Sequence, residues 1–360
     1  MNGPGDPSRW ALVGDIGGTN ARFALVDLDA AEVGLHAART LQAAQFASLQ
    51  HAAEHYLADV GLRPHTAAIA VASPTGSEEI RLTNRAWSFT RSELQQALRL
   101  DALHVLNDFG AIAWSVPALG AQDCIVAHGD PGPLRRGPIT VIGPGTGLGV
   151  ALLTGGEEGW CVVETEGGHV SFAPQDAEEE RIARWFAAYF GRVSNERLLC
   201  GAGLSHIDAV LRGAADHATG AHATLRDPAD IVTMALDGHD MHARRALARF
   251  CAVLGSVCGD AALIHGARAV MIAGGIVPRF VPFLRSSAFR ERFLDKGRFA
   301  AYLESVDIRI IVHDSPGLLG AALALRAGSA HDRSGAMAAA EASVDGTSVD
   351  QTSVGQPTAA

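Results

Sequence analysis

The chain is almost free of lysine, and this limits the ways in which it could bind phosphate. Lys296 is the single lysine among 360 residues, and the sequence contains no Gly-Lys pair. A phosphate-binding loop of the GxxxxGK[ST] type requires that pair, and a protein kinase requires a lysine on a strand. Both classes are therefore excluded, so backbone amides, arginines or a metal ion would have to handle any phosphate.

Paired cysteines and long apolar segments are also missing. The five cysteines include no CxxC pair, which argues against a structural zinc site and against a disulfide framework. The residues before Trp10 are polar and predict no signal peptide, and no apolar run of about 18 residues suggests a membrane span. We therefore expect a soluble, reduced, cytoplasmic protein.

Basic residues are fewer than acidic ones. Lys plus Arg total 29 and Asp plus Glu total 39, for a formal net charge of −10, which argues against nucleic acid or an anionic membrane as the main partner. The length fits roughly two domains, and a hydrophobic fraction of 48% is ample for their cores. Composition predicts a flexible N-terminus at 1–8 and a disordered tail at 327–360.

Between these ends, short apolar runs alternate with helical patterns, which is typical of an α/β protein. Eight apolar runs predict strands at 10–13, 21–26, 67–72, 103–106, 139–142, 150–153, 269–273 and 308–312. Capping residues and periodicity predict helices over 90–99, 107–116, 179–190, 243–264 and 315–326. Cys251 and Cys258 lie on the apolar stripe of the longest helix and are expected to be core thiols.

Two hairpins with similar sequences suggest an internal duplication. Segments 15–25 and 143–153 each consist of an apolar strand, a turn rich in glycine and threonine, and a second apolar strand. Such a repeat predicts a duplicated unit in which both turns face one ligand.

The turns of these hairpins predict a phosphate site. Their glycines let the backbone adopt positive φ and approach a ligand, and successive amides bind phosphate oxygens without lysine: Gly17, Gly18, Gly145 and Gly147. Thr19 and Thr146 add hydroxyl donors, and Asp15 is placed to hold Mg²⁺ directly or through water. One such turn would more often be an ordinary hairpin, but two of one type weaken that explanation.

The pair Asn107-Asp108 follows the predicted strand at 103–106 and opens a helix. Strand ends are where α/β sheets expose their working groups. A carboxylate there can accept a hydroxyl proton and orient the oxygen for in-line attack on a γ-phosphate. Taken alone, however, such a pair is more often a turn or a helix cap.

A third group contains Glu166 and His169, which flank two glycines and predict a loop, followed by Glu196. One histidine without a nearby cysteine is a poor zinc site. Carboxylates accept hydroxyl hydrogen bonds and a neutral imidazole both donates and accepts, so the group suits a polyol. A lone histidine is nonetheless more often structural.

Gly274 and Gly275 follow the predicted strand at 269–273. Paired glycines offer a flat surface against which an adenine ring could lie. A strand-to-helix turn that uses glycine for its φ is an equally good interpretation of this pair alone.

Together these motifs closely resemble the bacterial ATP-dependent glucokinases. The resemblance runs from Trp10 to Leu325 and rests on seven collinear motifs, at 13–23, 107–109, 143–149, 166–174, 196–203, 274–280 and 312–320. It implies the two-domain actin/hexokinase-like ATPase fold, with α/β domains of ribonuclease H-like topology around a central cleft. The smaller domain would comprise 9–117 plus 315–326 and the larger 118–314, and a homodimer is expected because members commonly form one.

The resemblance also implies the reaction, in which ATP and Mg²⁺ phosphorylate the 6-hydroxyl of D-glucose. It makes Asp108 the catalytic base. It places the sugar hydroxyls against Asn107, Asp108, Glu166, His169 and Glu196. It places the phosphates and Mg²⁺ against Asp15, Ile16, Gly17, Gly18, Thr19, Asn20, Gly145, Thr146 and Gly147, with the adenosine beside Gly274 and Gly275.

Some features depart from the family pattern, and alternatives remain. No zinc-binding cysteine cluster follows His169, which favours the zinc-free branch, and the turn at 73–76 differs from the commoner pattern and is assigned no role. A kinase for another hexose, such as mannose or glucosamine, is one alternative. A sugar-sensing regulator on the same fold is another, although the few residues before the first strand cannot form a helix-turn-helix.

Overall fold

The computed structural model describes residues 7–82, 86–130, 132–134, 136–156, 159–214 and 224–328. Its strands are β1 (Trp10–Ile16), β2 (Asn20–Asp27), β3 (Leu35–Gln42), β4 (Thr66–Val71), β5 (Glu79–Arg81), β6 (Ser88–Thr90), β7 (Ala102–Asn107), β8 (Cys124–His128), β9 (Ile139–Pro144), β10 (Leu148–Gly156), β11 (Gly159–Thr165), β12 (Ala269–Ile272) and β13 (Asp307–Ile311). Its helices are α1 (Leu49–Val60), α2 (Arg91–Leu98), α3 (Asp108–Ser115), α4 (Ala177–Phe190), α5 (Asn195–Leu198), α6 (Gly201–Leu211), α7 (Pro228–Asp237), α8 (Met241–His265), α9 (Val281–Ser286), α10 (Phe289–Leu294), α11 (Ala300–Glu304) and α12 (316–328).

Most strands belong to two sheets with the same internal order. Sheet A has the order β3-β2-β1-β4-β7, and sheet B has the order β11-β10-β9-β12-β13-β8. In each sheet the first three strands are antiparallel and the next two run parallel to the first, and sheet B adds the antiparallel β8. The sheets thus repeat one topology, as the paired hairpins predict, and β5 pairs separately with β6.

All eight predicted strands are present, and the missed strands lie mainly at sheet edges. The central strands are buried because helices cover both faces, and β9 is buried along its whole length. In contrast, β3 exposes most of its residues at the edge of sheet A, and β11 exposes several at the edge of sheet B. An edge strand is held by pairing with its neighbour, so its sequence need not carry an apolar run.

The predicted helices are also present, with shifted ends. Thr90 forms the expected capping box at the start of α2, and α8 extends two residues earlier than predicted and buries both Cys251 and Cys258. The sequence analysis overlooked α1, which begins after the Ser48 cap and ends at Gly61, with a φ of 68°. The last helix runs to residue 328, so the first two residues of the predicted tail are helical, whereas 1–6 and 329–360 lie outside the described residues.

Within the described residues, α8 is long and apolar enough to cross a membrane by length and composition alone. However, 67% of its apolar window is buried inside the protein. Its buried side chains belong to the core that covers one face of sheet B. It is therefore the central helix of a globular core, which passes the same test of length and hydropathy.

The last helix, α12, packs against the first sheet. Leu318, Ala321, Ala322 and Leu325 share a buried cluster with the apolar residues on one face of β1, β2 and β4. The opposite face of sheet A is covered by α1 and α2. The chain therefore crosses from sheet B back to sheet A at about residue 315, while the domain boundaries remain a prediction.

A buried carboxylate fixes α4 against the helices behind sheet B. Glu179 is fully buried, and its oxygens accept hydrogen bonds from Arg249 at 2.8 Å and from Arg292 at 2.8 and 3.0 Å. The Gln175 amide also donates to it at 2.8 Å. Burial alone would raise the pKa of Glu179, but these donors outweigh burial and the pKa lies below its usual value.

We predict that Glu179→Ala lowers the free energy of unfolding by about 3–5 kcal/mol, because it leaves the largely buried Arg292 without its carboxylate partner and removes one of three carboxylates from Arg249. Urea denaturation at neutral pH measures this loss. Because the folded pKa of Glu179 is lowered, its contribution to the free energy of unfolding is present at neutral pH and is lost as the pH falls through that pKa. The unfolding free energies of wild type and Glu179→Ala should therefore become similar in acid.

The exposed neighbour offers a matched control for this test. Glu180 lies one residue further along α4 and is exposed. Glu180→Ala should change the unfolding free energy by less than about 0.5 kcal/mol. Equal effects of the two substitutions would contradict the role given to Glu179.

Candidate active site

Three parallel strands of sheet A end side by side. Ile16 at the end of β1 pairs with Val71 at the end of β4, and Val71 pairs with Asn107 at the end of β7. The turn after β1, the loop after β4 and the start of α3 therefore meet at one edge of the sheet. The Ile16 side chain is buried in the core, so only its backbone can face a ligand.

The first glycine-rich turn connects β1 to β2. The Gly17 amide donates to the Asn20 carbonyl at 2.9 Å and closes the turn. The Thr19 carbonyl accepts from the Ala43 amide at 2.9 Å, and the Asn20 side chain accepts from Gln42 at 3.1 Å. The Thr19 residue itself is exposed, so its hydroxyl is accessible to a ligand.

Asp15 lies at the end of β1, just before this turn. Its Oδ2 is 3.2 Å from Nη1 of Arg22 on the neighbouring strand. Burial raises the pKa of Asp15, and the charge and hydrogen bond of Arg22 oppose that rise. At the start of α12, a Cβ on Gly317 would lie only 2.8 Å from Cγ of Asp15, so glycine is needed for the helix to approach this carboxylate.

The second glycine-rich turn connects β9 to β10. The Gly145 amide donates to the Gly147 carbonyl at 2.8 Å, and the Gly145 carbonyl accepts from the Gly201 amide at 3.0 Å. Thr146 between them is exposed. A Cβ on Gly145 would face open space, whereas a Cβ on Gly147 would lie 2.5 Å from Oε2 of Glu196.

The prediction of positive φ is wrong for Gly17, Gly145 and Gly147, which all avoid the left-handed region. Each turn is closed by an ordinary amide–carbonyl bond, and of the three only Gly147 leaves space for a neighbouring side chain, because a Cβ on Gly17 would meet only the Asn20 carbonyl at 3.7 Å. Gly274 does have a positive φ of 87°, and a Cβ there would lie 2.4 Å from the Pro144 carbonyl. Gly275 faces open space, so the glycine pair lies directly beside the second turn.

Asn107 is the N-cap of α3. Its Oδ1 accepts from the amides of Phe109 and Gly110 at 2.9 and 3.2 Å, and its Nδ2 donates to the Ser73 carbonyl at 3.3 Å. The side chain is therefore largely occupied by capping, with one Nδ2 proton left over. It holds the first turn of α3 at a fixed place at the sheet edge.

Asp108 is the first residue of α3, and its Oδ1 accepts from the Phe109 amide at 2.8 Å. Burial raises its pKa to about 6; the Phe109 hydrogen bond opposes the rise, while the charges of Asp15 and Glu166 add to it. A carboxyl group of this kind is ionised at neutral pH yet basic enough to accept a proton, which suits a general base.

The helix that carries Asp108 also contacts the second turn. A Cβ on Gly149 would lie 1.8 Å from Cδ2 of Phe109, so the phenylalanine ring occupies the space that a side chain at 149 would fill. The missing side chain lets α3 pack directly on β10 of sheet B. This contact brings the two halves of the candidate site together.

Glu166, His169 and Glu196 form a polar group beside the second turn. The segment after Glu166 is a single 3-10 turn rather than the expected open loop, and it ends at His169. Oε2 of Glu166 lies 3.9 Å from Nε2 of His169, and Oε1 of Glu196 lies 3.7 Å from Nδ1. These distances exceed hydrogen-bond length, which leaves the imidazole available to a ligand. The other Glu196 oxygen accepts from the Leu148 amide at 3.0 Å.

Two functional neighbours were missed from the sequence. Glu164, on β11, accepts from the Asn107 amide and from the Thr75 hydroxyl, each at 2.7 Å. These partners lie 57 and 89 positions away along the chain, so no local pattern could reveal the pairing. Thr75 belongs to the turn at 73–76, which the sequence analysis left without a role.

The donor set agrees with magnesium bound together with a phosphate. No group of three or more His, Cys, Asp and Glu side chains suited to a metal ion occurs among the described residues. Mg²⁺ prefers oxygen ligands and usually takes one or two carboxylates plus phosphate oxygens. Asp15 is a half-buried carboxylate directly beside the first turn, so it would hold the ion with a bound triphosphate.

Comparisons with known proteins agree with the fold. The glucokinase family model matches residues 12–328. A glucokinase from Chromohalobacter salexigens is 44% identical over 326 residues, covering 88% of this chain and 98% of the relative. A solved glucokinase from an Antarctic psychrotroph has a TM-score of 0.76 at 36% identity, covering 88% of this chain and 98% of that one.

A ROK family glucokinase from Streptomyces griseus, solved in complex with glucose and AMPPNP, shares the fold with a TM-score of 0.56 at 19% identity, over 87% of this chain and 98% of that one. The duplicated sheets and these matches define an ATP-dependent sugar kinase of the actin/hexokinase-like fold. The chain belongs to the glucokinase family.

We predict that Gly147→Ala raises the KM for the sugar by about 10-fold, because the new methyl group displaces a charged hydrogen-bonding partner, the Glu196 carboxylate. Steady-state kinetics with varied glucose measures this change. Gly145→Ala is the matched comparison, since its methyl group faces open space, and it should change the sugar KM by less than about twofold. A lower sugar KM in Gly145→Ala than in Gly147→Ala supports the assignment, and equal values contradict it.

Proposed function

We propose that this protein transfers the γ-phosphate of ATP to the 6-hydroxyl of D-glucose, giving glucose 6-phosphate and ADP. The observation that carries the proposal is the place of Asp108, which has a pKa of about 6 and interacts with carboxylates of the first turn and of the polar group. Family membership and the glucose-bound and AMPPNP-bound relative support the same reaction.

On the sugar side, three side chains would define the bound hydroxyls. The carboxylates of Glu166 and Glu196 would accept hydrogen bonds from the sugar hydroxyls, and the His169 imidazole both donates and accepts. The remaining Nδ2 proton of Asn107 gives one further donor. A site matched to hydroxyls discriminates strongly between sugars, because a wrong epimer leaves buried polar groups unpaired.

Asp108 would act as the general base. Its free oxygen accepts the proton of the 6-hydroxyl and so directs the alcohol oxygen toward the γ-phosphate. The amide of Phe109 holds the other oxygen, which fixes the direction of the carboxylate. Little covalent chemistry is left for the protein, since phosphoryl transfer depends mainly on positioning and electrostatics.

On the nucleotide side, the two turns would replace the missing lysine. The amides of Gly17 and Gly145 are used inside their turns, so the phosphates would meet the following amides and hydroxyls, in Gly18, Thr19, Thr146 and Gly147. The backbone of Ile16 and Asn20 completes the first turn, and Gly274 and Gly275 would lie beside the adenosine. Mg²⁺ held by Asp15 would neutralise charge on the phosphate oxygens.

The proposal extends to how the molecule is organised and where it acts. The molecule would move as two domains that close around the substrates and exclude water. The smaller domain would comprise 9–117 plus 315–326, and the larger would comprise 118–314. We further infer a cytoplasmic homodimer, whose state light scattering would measure. A panel of glucose, mannose and glucosamine with ATP separates glucose from the other hexoses as the preferred acceptor.

The direct test is glucose-dependent release of ADP, with Asp108→Asn as the deciding variant. Removing the base should lower kcat by about 10²–10⁴-fold, while the fold and glucose binding remain. Glu166→Gln should instead raise mainly the glucose KM. Near-normal turnover in Asp108→Asn would remove Asp108 from the role of base.

The pH dependence gives an independent check. Because only ionised Asp108 accepts a proton, kcat/KM for glucose should fall on the acid side of a pKa of about 6 and level off above it. ADP should be measured after quenching, so that no coupling enzyme experiences the change in pH. A profile without this acid limb would contradict the assignment.

A further inference from the structure

Glu164 bridges the two sheets at the base-bearing turn. It projects from the edge strand β11 of sheet B, and its two oxygens bind the end of β7 in sheet A and the loop that follows β4. Oε1 accepts from the Asn107 amide at 2.7 Å, and Oε2 accepts from the Thr75 hydroxyl at 2.7 Å. Both oxygens of the carboxylate therefore accept hydrogen bonds across the junction between the two sheets.

The bond to Asn107 completes a capping box from another part of the chain. In an ordinary capping box, the third helical residue is Glu or Gln, and its side chain binds the amide of the N-cap residue. In α3 the N-cap is Asn107 and the third residue is Gly110. A Cβ on Gly110 would lie 2.6 Å from Oε1 of Glu164. Glycine thus leaves the space, and Glu164 supplies the carboxylate.

The second anchor of Glu164 is itself held in place. Arg91, at the start of α2, donates to the Thr75 carbonyl and, at 3.4 Å, to the Ser77 carbonyl. The Asn107 side chain binds the Ser73 carbonyl of the same loop. Thr75 therefore belongs to a loop fixed to both α2 and α3, and Glu164 ties this loop to β11.

The same strand end also leads to the polar group. Glu166 follows Glu164 by two residues, and the Thr165 hydroxyl between them donates to the Val150 carbonyl at 2.7 Å. One short segment therefore contacts the base-bearing turn through Glu164 and presents Glu166 to the sugar. A carboxylate near a helix N-terminus also interacts favourably with the helix dipole.

We propose that Glu164 is a positioning residue for phosphoryl transfer, which sets the Asp108 carboxylate relative to the sugar-binding Glu166 by holding the Asn107 amide. This inference rests on the proposed function. Glu164 touches neither substrate in this scheme and acts through Asn107. A shift of about 1 Å in a reacting group can cost on the order of 10²-fold in rate, so its loss should affect kcat more than binding.

The kinetic test compares Glu164→Ala with the conservative Glu164→Gln. Alanine should lower kcat by about 10–100-fold and change the KM values for glucose and ATP by less than about threefold. Glutamine keeps an oxygen for the Asn107 amide and should recover most of the loss. Glu180→Ala, an exposed carboxylate on α4, is the control and should retain wild-type kcat.

A double-substitution cycle separates positioning from general damage. If Glu164 works through the base, Glu164→Ala should lower the residual kcat of Asp108→Asn by less than about twofold. An undiminished loss in the Asp108→Asn background would overturn the proposal. A fall in kcat of Glu164→Ala that is fully explained by a smaller fraction of folded protein would also overturn it, and so would an unchanged kcat.

Hydrogen exchange provides a readout that needs no activity. In the ligand-free protein, Glu164→Ala should speed amide exchange in a peptide spanning 105–112 and leave peptides of α8 unchanged, while unchanged exchange at 105–112 would overturn the proposal. Wild-type protein that releases no ADP with glucose would instead overturn the proposed function, and the wild-type assay reveals that before any variant is compared.

Discussion

The site depends on one carboxylate held where its charge is disfavoured. Burial at the start of α3 raises the pKa of Asp108, and the charges of Asp15 and Glu166 raise it further. Because the folded pKa is raised, the stability that protonated Asp108 contributes is present in acid and is lost as the pH rises past about 6. At neutral pH the protein therefore keeps a destabilised anion, and the surrounding structure must hold it in place.

The shortage of lysine makes that requirement sharper. A triphosphate would add negative charge to a region that already contains five carboxylates, and Arg22 is the cation paired with one of them, Asp15. Main-chain groups would take the place of lysine: the Phe109 amide at the start of α3 donates to Asp108, the start of α12 packs on Asp15, and the two turns would present amides to the phosphates. Backbone dipoles need no desolvated counter-charge, and their positions are fixed by the fold.

Local sequence was sufficient for the parts of the fold that carry their own signal. The central strands, such as β1 and β9, are apolar because both faces are covered, and the α2 capping box is contained in four residues. The edge strands β3 and β11 lack such a signal because pairing holds them. The bond between Glu164 and Asn107 joins residues 57 positions apart, and only the assembled sheets bring them together.

Several glycines matter to the site because they lack a side chain, and not because of a positive φ. The sequence predicts positive φ at the turn glycines, yet Gly147 instead leaves space for Glu196. Three glycines to which no such φ was assigned also leave space for a neighbour: Gly110 for Glu164, Gly149 for Phe109 and Gly317 for Asp15. Each side chain that occupies such a space is either a charged group of the site or, like Phe109, the neighbour of one. Because a side chain at Gly110 or Gly149 would collide with a group from the opposite part of the site, the packing of α3 against sheet B depends on these two glycines. Sequence alone shows that a glycine is present, and only the fold shows which side chain occupies the space.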